Sequence, residues 1–280
     1  MSVSTILPAS ETSMEILCET MLDAFSDYAV PMQLSTTQFA DMMHQRGLDL
    51  ASSRIAHVEG QVAAIWLTAI RDKRAYLISS GTRPAHRSKG LARAMATSNL
   101  AHLKKVGVRS FQTEVLRNND TAEALYRSLG MIRHRQLDCY SLSAPDHVAP
   151  PKFQFKQTTW DEIAPETQAL LEWEPSWQND RHALSALPEQ VTCLSLLVGS
   201  ALIAFAALQS QTGTVQQIAV HKSARRTGIA SALIAALQTQ MPGRAMRFIN
   251  ICDSDRAFRQ WVSHMGAQEM IGQYELRMSL

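Results

Sequence analysis

Residues 86–95 read HRSKGLARAM, and residues 224–233 read ARRTGIASAL. Each places an arginine, two loop residues and a glycine just before an apolar run with helical spacing. That run is Ala92, Met95, Ala96, Leu100 and Leu103 in the first copy, and Ala230, Leu233, Ile234 and Leu237 in the second. The shared pattern is R-x-x-G-x-A, carried by Arg87, Gly90 and Ala92 and again by Arg225, Gly228 and Ala230. At a helix start the first N–H groups lack partners within the helix, and the helix dipole presents positive charge there. Glycine lets the backbone take a positive φ and approach a bulky anion closely. The first copy therefore reads as a phosphate or pyrophosphate cradle built by Arg87, Ser88, Lys89, Gly90, Leu91 and Ala92. A single copy reads better as an ordinary capped helix start; two copies in matching strand–loop–helix settings favour the cradle.

Outward from the loops, the chain repeats itself. In the first half, ETSMEILCETMLDAF reads as an amphipathic helix with Met14, Leu17, Cys18 and Met21 on one face, and a second helix covers Thr36–Gln45. Strands follow at SRIAHVEG, QVAAIWLTAI and RAYLISSGT, with Glu59-Gly60 as a hairpin turn. After the loop come a helix at Leu91–Lys105, a strand at Arg109–Leu116, a helix at Thr121–Leu129 stopped by Gly130, and a strand at Ile132–Leu142. The second half offers a helix over Asp161–Trp173, strands VTCLSLLVG, ALIAFAALQ and TVQQIAVHK, then helix, strand MRFINIC, helix DRAFRQWVSHM stopped by Gly266, and strand GQYELRMSL. From motif arginine to stop glycine is 43 residues in one half and 41 in the other. The proline-bearing SAPDHVAPPK, residues 143–152, suits neither regular element. The expected organisation is a first domain at 1–143, a linker at 144–151 and a second domain at 152–280.

Composition narrows the function. A chain of 280 residues with 46% hydrophobic and 19% charged residues has enough material for two full cores. A net charge of +2, with no basic stripe, argues against a nucleic-acid partner. Cys18, Cys139, Cys193 and Cys252 are scattered without metal-ligand spacing, which predicts free thiols, a reducing compartment and no metal. The start, MSVSTILPASETSMEIL, lacks the pattern of a secretory signal, and the longest apolar run, ALIAFAAL, falls short of the ~20 residues a membrane helix needs. A cytoplasmic protein without a membrane partner is expected, as monomer or homodimer.

A second signature lies downstream of the first loop. In EVLRNNDTAEALYRSLGM, residues 114–131, Asn119, Ala122, Leu125, Tyr126 and Gly130 form N-x-x-A-x-x-L-Y-x-x-x-G. Together the two motifs resemble the GCN5-related N-acetyltransferases (the GNAT family), whose acetyl-CoA loop is Q/R-x-x-G-x-G/A. The resemblance covers most of 1–142; the second half keeps the loop and lacks the second signature. It implies an α/β fold with a mixed sheet (α+β) made of two tandem GNAT acyl-CoA N-acyltransferase folds, the second degenerate. It also implies acetyl-CoA as co-substrate and a primary amine, on a small molecule or a peptide N-terminus, as acceptor.

Direct transfer from a thioester needs a proton for the departing thiol. Tyr126, with a reference pKa of about 10 against about 8.5 for a thiol, suits a general acid, and the resemblance points to the same residue. A core tyrosine on an amphipathic helix is the plain alternative. In the family's ribosomal-protein and peptide N-terminal branch, a Glu-Val pair at the position of Glu114 supplies the base; an ion-paired strand carboxylate, with an ordered water as base, stands beside that reading. Asn119 either binds the pantetheine arm or braces its loop. Asp27 and Tyr28 are candidate acceptor contacts, in DAFSDYAVPM between the first two helices. Aligning Gly130 with Gly266 sets Asn250 opposite Glu114 and Val262 opposite Tyr126. The second half therefore lacks both side chains, while Arg225, Gly228 and Ala230 remain a candidate second cofactor site. The competing function is a non-catalytic acyl-CoA-binding regulatory or interaction module.

Overall fold

The computed structural model describes residues 4–27, 32–145 and 152–280. Tyr28 and most of the expected linker lie outside the described residues. In the first half the elements are β1 (Ser4–Pro8), α1 (Met14–Ala24), α2 (Thr36–Arg46), β2 (Arg54–Val58), β3 (Gln61–Arg71), β4 (Arg74–Thr82), α3 (Leu91–Lys105), β5 (Ser110–Leu116), α4 (Asp120–Ser128) and β6 (Ile132–Leu142). The second half gives β7 (Lys156–Thr158), α5 (Trp160–Thr167), α6 (Arg181–Ala186), β8 (Val191–Val198), β9 (Ala201–Gln209), β10 (Thr214–Val220), α7 (Ile229–Thr239), β11 (Met246–Cys252), α8 (Arg256–His264) and β12 (Gln268–Ser279). No helix among the described residues is long and apolar enough to cross a membrane.

Contacts divide the chain into two compact units: Met1–Val115 with Asn119–His134 and Glu275–Leu280, and Leu116–Asn118 with Arg135–Tyr274. The units differ from the two halves of the sequence at the last strand of each half. In the second unit, β6 pairs antiparallel with β11, from Leu142 opposite Met246 to Leu137 opposite Cys252. In the first unit the end of β12 lies beside β5, where the Leu280 N–H donates to the Arg109 carbonyl at 2.9 Å. The halves match in element order, but strand order along a chain does not name a strand's partner; two similar partners make such an exchange inexpensive.

The first unit orders its strands β1-β2-β3-β4-β5. Its helices begin at side-chain caps: Ser13 accepts from the Ile16 N–H, and Ser35 with Gln38 forms a reciprocal capping box. Trp66 on β3 and Phe111 on β5 are wholly buried and stacked, with centroids 6.4 Å apart. The Trp66 indole N–H donates to Asn99 Oδ1 (3.2 Å), and the Asn99 amide donates to the Ser52 carbonyl and Thr68 Oγ1. Asn99 is thus a fully satisfied core residue on a face expected to be wholly apolar.

The second unit orders β6-β11-β10-β9-β8-β7. Alternation along β9 buries both faces: Ala204, Ala206 and Leu208 meet Leu233, Ile234 and Leu237 of α7, while Phe205 and Ala207 meet Trp160 and Ile163 of α5. The helix expected over Asp161–Trp173 ends early. Thr159 and Glu162 cap its start, Pro165 sits inside it, and after Thr167 it tightens to a 3₁₀ turn at Gln168–Leu170. Phe205 is 0% exposed and packs against Trp160 at 6.3 Å. Phe205→Ala is expected to cost about 3–5 kcal/mol in denaturant unfolding, the range for emptying a well-packed aromatic site.

Candidate active site

Strands β4 and β5 run parallel, but their pairing covers only Arg74–Leu77 against Ser110–Thr113. Beyond Leu77 and Thr113 they separate, although β4 continues to Thr82 and β5 to Leu116. The separation begins at a bulge: Leu67 of β3 faces Ser79 and Thr68 faces Leu77, leaving Ile78 as the extra residue. Glu114 is therefore the first residue of β5 past the paired region. Its Oε2 accepts a short hydrogen bond from the Tyr76 hydroxyl, and Tyr76 is itself buried on β4. Tyr126 is 6% exposed and meets Trp66 edge-on at 6.1 Å, so its ring is also a core element of the unit.

At the far end of β4 stands the loop that opens α3. Ser88 and Gly90 both take left-handed backbone, with φ of +62° and +76°, and Gly90 caps the helix without a side-chain bond. Alternating left-handed residues turn successive N–H groups toward an anion. Among the described residues the N–H groups of residues 90–93 donate to no backbone carbonyl, and a Cβ on Gly90 would meet no heavy atom beyond its chain neighbours within 4 Å. The space above the loop is open and the donors are available, so these residues fit a phosphate-bearing cofactor. The basic side chains are engaged otherwise. Arg87 grips Asp27 with two bonds (2.5 and 2.8 Å) and donates to the Ala24 and Thr82 carbonyls. Lys89 folds back onto the Ala85 carbonyl at 3.1 Å. The donors open to a ligand at this loop are accordingly backbone N–H groups, and Arg87 anchors the loop to the end of α1. The Arg87 hydrogen bond holds the Asp27 carboxyl below the usual range, so the pair stays ionised at neutral pH. Asp27, expected as an acceptor contact, and Arg87, expected in the cofactor loop, are thereby brought together.

Asn119 braces its loop: its Oδ1 accepts from the Ala122 N–H at 3.1 Å and caps α4. Asp255 does the same for α8, accepting from the Phe258 N–H at 2.9 Å.

The second unit repeats the frame with other side chains. Strands β10 and β11 pair only at Thr214 with Arg247 and Val215 with Phe248. The bulge residue there is Gln216, between Val215 (facing Leu208) and Gln217 (facing Ala207). Arg226 and Gly228 take φ of +63° and +89°, matching Ser88 and Gly90. Arg225 pairs with Glu172 at 2.7 Å as Arg87 pairs with Asp27, and that bond likewise lowers the Glu172 carboxyl's pKa. A non-glycine residue at positive φ is uncommon. Its recurrence at the same loop position shows that the second loop keeps the geometry of the first.

The counterparts of the candidate catalytic residues are different. Counting back from the motif arginines places Thr214 opposite Tyr76. Val262 is a wholly buried core residue. Asn250, at φ +61°, donates to Ser176 Oγ and accepts from Gln273. A cleft of about 500 Å³ lies in this unit, lined by Gln216, Gln217, Trp173, Phe258, Trp261 and the Gly228 loop. Trp177 is packed in the core, and Trp173 and Trp261 are the tryptophans at the cleft. Tyr76, Gln216 and Gln217 carry no motif that sequence reading could have used; only strand register places them.

Parallel strands that part in front of a glycine-capped helix start, twice in one chain, define a tandem acyltransferase-type architecture. The family model for the Acetyltransferase (GNAT) family matches residues 14–131 and again 154–260, most of the chain, and the chain belongs to that family. Members generally bind acetyl-CoA and act on amines. Among solved structures, a tandem GNAT protein from the clavulanic acid biosynthesis pathway has a TM-score of 0.72 at 15% identity, covering 99% of this chain and 98% of that one. A GCN5-related N-acetyltransferase from Sphaerobacter thermophilus has a TM-score of 0.73 at 13% identity, over 99% and 95% of the two chains. A GCN5-related glucosamine N-acetyltransferase region of a fungal β-N-acetylglucosaminidase reaches 0.75 at 12% identity, over 99% of this chain and 38% of that one. At these identities the likeness is one of fold. No protein of curated function matches the chain.

Proposed function

We propose that the first unit transfers an acetyl group from acetyl-CoA directly to a primary amine, on a small molecule or a peptide N-terminus. The observation that carries this reading is the placement of Glu114 as the first residue where β5 parts from β4, on the strand pair that leads to the Ser88–Ala92 cradle. When bound, the cofactor supplies a thioester carbonyl for the amine to attack: a C–N bond forms and the C–S bond breaks. The Glu114 carboxylate, oriented by the Tyr76 hydroxyl, takes the proton that the amine nitrogen sheds. The Tyr126 hydroxyl gives its proton to the departing sulfur, a transfer that is uphill by only about 2 kcal/mol given reference pKa values of about 10 and 8.5. The N–H groups of residues 90–93 hold the phosphates, and Arg87 keeps that loop fixed through Asp27. Four buried cysteines outside any disulfide suit a reducing, cytoplasmic compartment.

The decisive test is thiol release from acetyl-CoA across a panel of amines, with Tyr126→Phe beside the wild type. The variant is expected to lose at least tenfold in kcat while its acetyl-CoA affinity stays within twofold; wild-type turnover would remove Tyr126 from the mechanism. The competing reading, a non-catalytic acyl-CoA-binding module, is favoured for the second unit alone, where Thr214, Asn250 and Val262 replace Tyr76, Glu114 and Tyr126. Binding without turnover on any amine would extend it to the whole chain.

A further inference from the structure

Between Glu114 and Tyr126 the chain leaves the first unit and returns to it. Leu116–Asn118 belong to the second unit, while Val115 before them and Asn119 after them belong to the first. Arg117 is the centre of that excursion. It directly follows β5, the strand that carries Glu114. Two residues further on, Asn119 caps α4, the helix that carries Tyr126. The bonds of Arg117 lie within the second unit. Its N–H donates to the Gly272 carbonyl at 3.0 Å, and its Nη2 donates to the Leu137 carbonyl at 3.3 Å. The same nitrogen forms a short ion pair with Asp138 Oδ1. Asp138 is buried, and its Oδ2 stands 3.5 Å from both the Tyr140 hydroxyl and the Arg259 guanidinium.

The guanidinium crosses Gly272 so closely that a Cβ there would stand 1.9 Å from Nη2 and 2.5 Å from Nε. Only glycine leaves that path open. A polar cavity of about 330 Å³, lined by Gln136, Asp253, Arg259 and Ser263 among others, opens beside the pair. The guanidinium thus has room to leave, and charge-assisted bonds are what keep it in place. Its Nε is buried without an acceptor among the described residues, so the placement carries a cost.

The second half repeats the backbone and not the clamp. The offset of 136 residues that aligns Gly130 with Gly266 sets Asp253 opposite Arg117 and Gly272 opposite Gln136. The Asp253 N–H donates to the Gln136 carbonyl at 3.2 Å, as the Arg117 N–H donates to Gly272. The backbone bond alone therefore serves the fold at both places. Of the two, arginine over glycine stands at the one beside Glu114 and Tyr126, where the other half has Asn250 and Val262.

We propose that Arg117 is a positioning residue: its clamp across Gly272 to Asp138 fixes the turn between β5 and α4, and with it the placement of Glu114 relative to Tyr126. The second unit then has a part in the reaction without holding a substrate. The inference rests on the reading of Glu114 and Tyr126 as base and acid. Those two groups must meet one reacting centre, and a misplacement of about 1 Å can cost roughly a hundredfold in rate.

Three full-length variants test it: Arg117→Met, Gly272→Ala and the two together. Gly272→Ala keeps every charge and displaces the guanidinium by contact alone. Each single variant is expected to lower kcat at least tenfold, with KM for acetyl-CoA within twofold of the wild type. A general loosening of the fold would move KM as well. The double variant is expected to stay within twofold of Arg117→Met, because two changes that break one contact do not add. Losses that multiply overturn the clamp, and so does wild-type kcat in Arg117→Met. If Arg117→Met does not fold, Gly272→Ala decides by the same split between kcat and KM. Backbone amide exchange is read on the same proteins without any substrate. Residues 114–126 are expected to exchange at least fivefold faster in the variants, with residues 91–105 unchanged. Unchanged exchange at 114–126 overturns the proposal whatever the activity. A wild-type protein that turns over no amine defeats the proposed function, and the exchange result then decides the clamp by itself.

Discussion

Glu114→Gln is expected to lower kcat at neutral pH by about a hundredfold or more, with acetyl-CoA affinity unchanged within twofold. The substitution is nearly isosteric and its carbonyl oxygen still accepts the Tyr76 hydroxyl, so the geometry at the parting of β4 and β5 is preserved. What is lost is an atom able to take a proton, and removing a positioned base costs ~10²–10⁴ in rate. The pH profile separates this from a structural effect. An amine with a pKa near that of an α-amino group, about 7.7–8.0, becomes neutral in solution as pH rises. The deficit of the variant should therefore shrink as pH climbs toward the amine's own pKa, whereas a misfolded or misaligned site would stay slow at every pH. A loss smaller than threefold at neutral pH would move the base elsewhere, to an ordered water or to the substrate itself.

Much of this arrangement is legible in the chain before any coordinates. The two R-x-x-G-x-A loops locate the helix starts correctly because a glycine before an apolar helical stripe is a local signal, and Gly90 and Gly228 indeed cap α3 and α7. The stop glycines, Gly130 and Gly266, follow α4 and α8 for the same reason. What stayed hidden depends on register and partnership. Tyr76 reaches Glu114 only because β4 and β5 are parallel neighbours for four residues, and nothing in RAYLISSGT announces a hydroxyl aimed across the sheet. Gln216 and Gln217 look like a polar interruption of a strand until the bulge and their bonds to the Gln178 and Asn179 carbonyls account for both. The exchange of β6 and the end of β12 is invisible for a different reason: either fifth strand offers a similar edge, and sequence order does not choose between them. The short strand β1 and the six-residue α6 have too few residues to show a period at all. Arg87 is the instructive case, because the sequence marks it as a loop cation while only the structure shows that charge engaged by Asp27.

Gly90→Val is expected to reduce acetyl-CoA binding at the first site at least a hundredfold, without unfolding the unit. The reasoning turns on two measurements at one residue. Gly90 holds φ at +76°, a conformation that costs an L-residue about 1–2 kcal/mol and a β-branched one the most. Yet a Cβ built there meets no protein atom within 4 Å, unlike one on Gly213, which would stand 2.8 Å from the Ala245 carbonyl oxygen. The added side chain therefore has no quarrel with the rest of the fold. It occupies the open space above the loop, and its backbone preference pulls the N–H groups of Gly90 and Leu91 out of line. The thermal unfolding midpoint should drop by only a few degrees, consistent with that local strain, while the calorimetric signal for the first site disappears. A folded Gly90→Val protein that binds acetyl-CoA at this site with wild-type affinity would mean that the phosphates sit elsewhere and that the repeated loop is no more than a helix start.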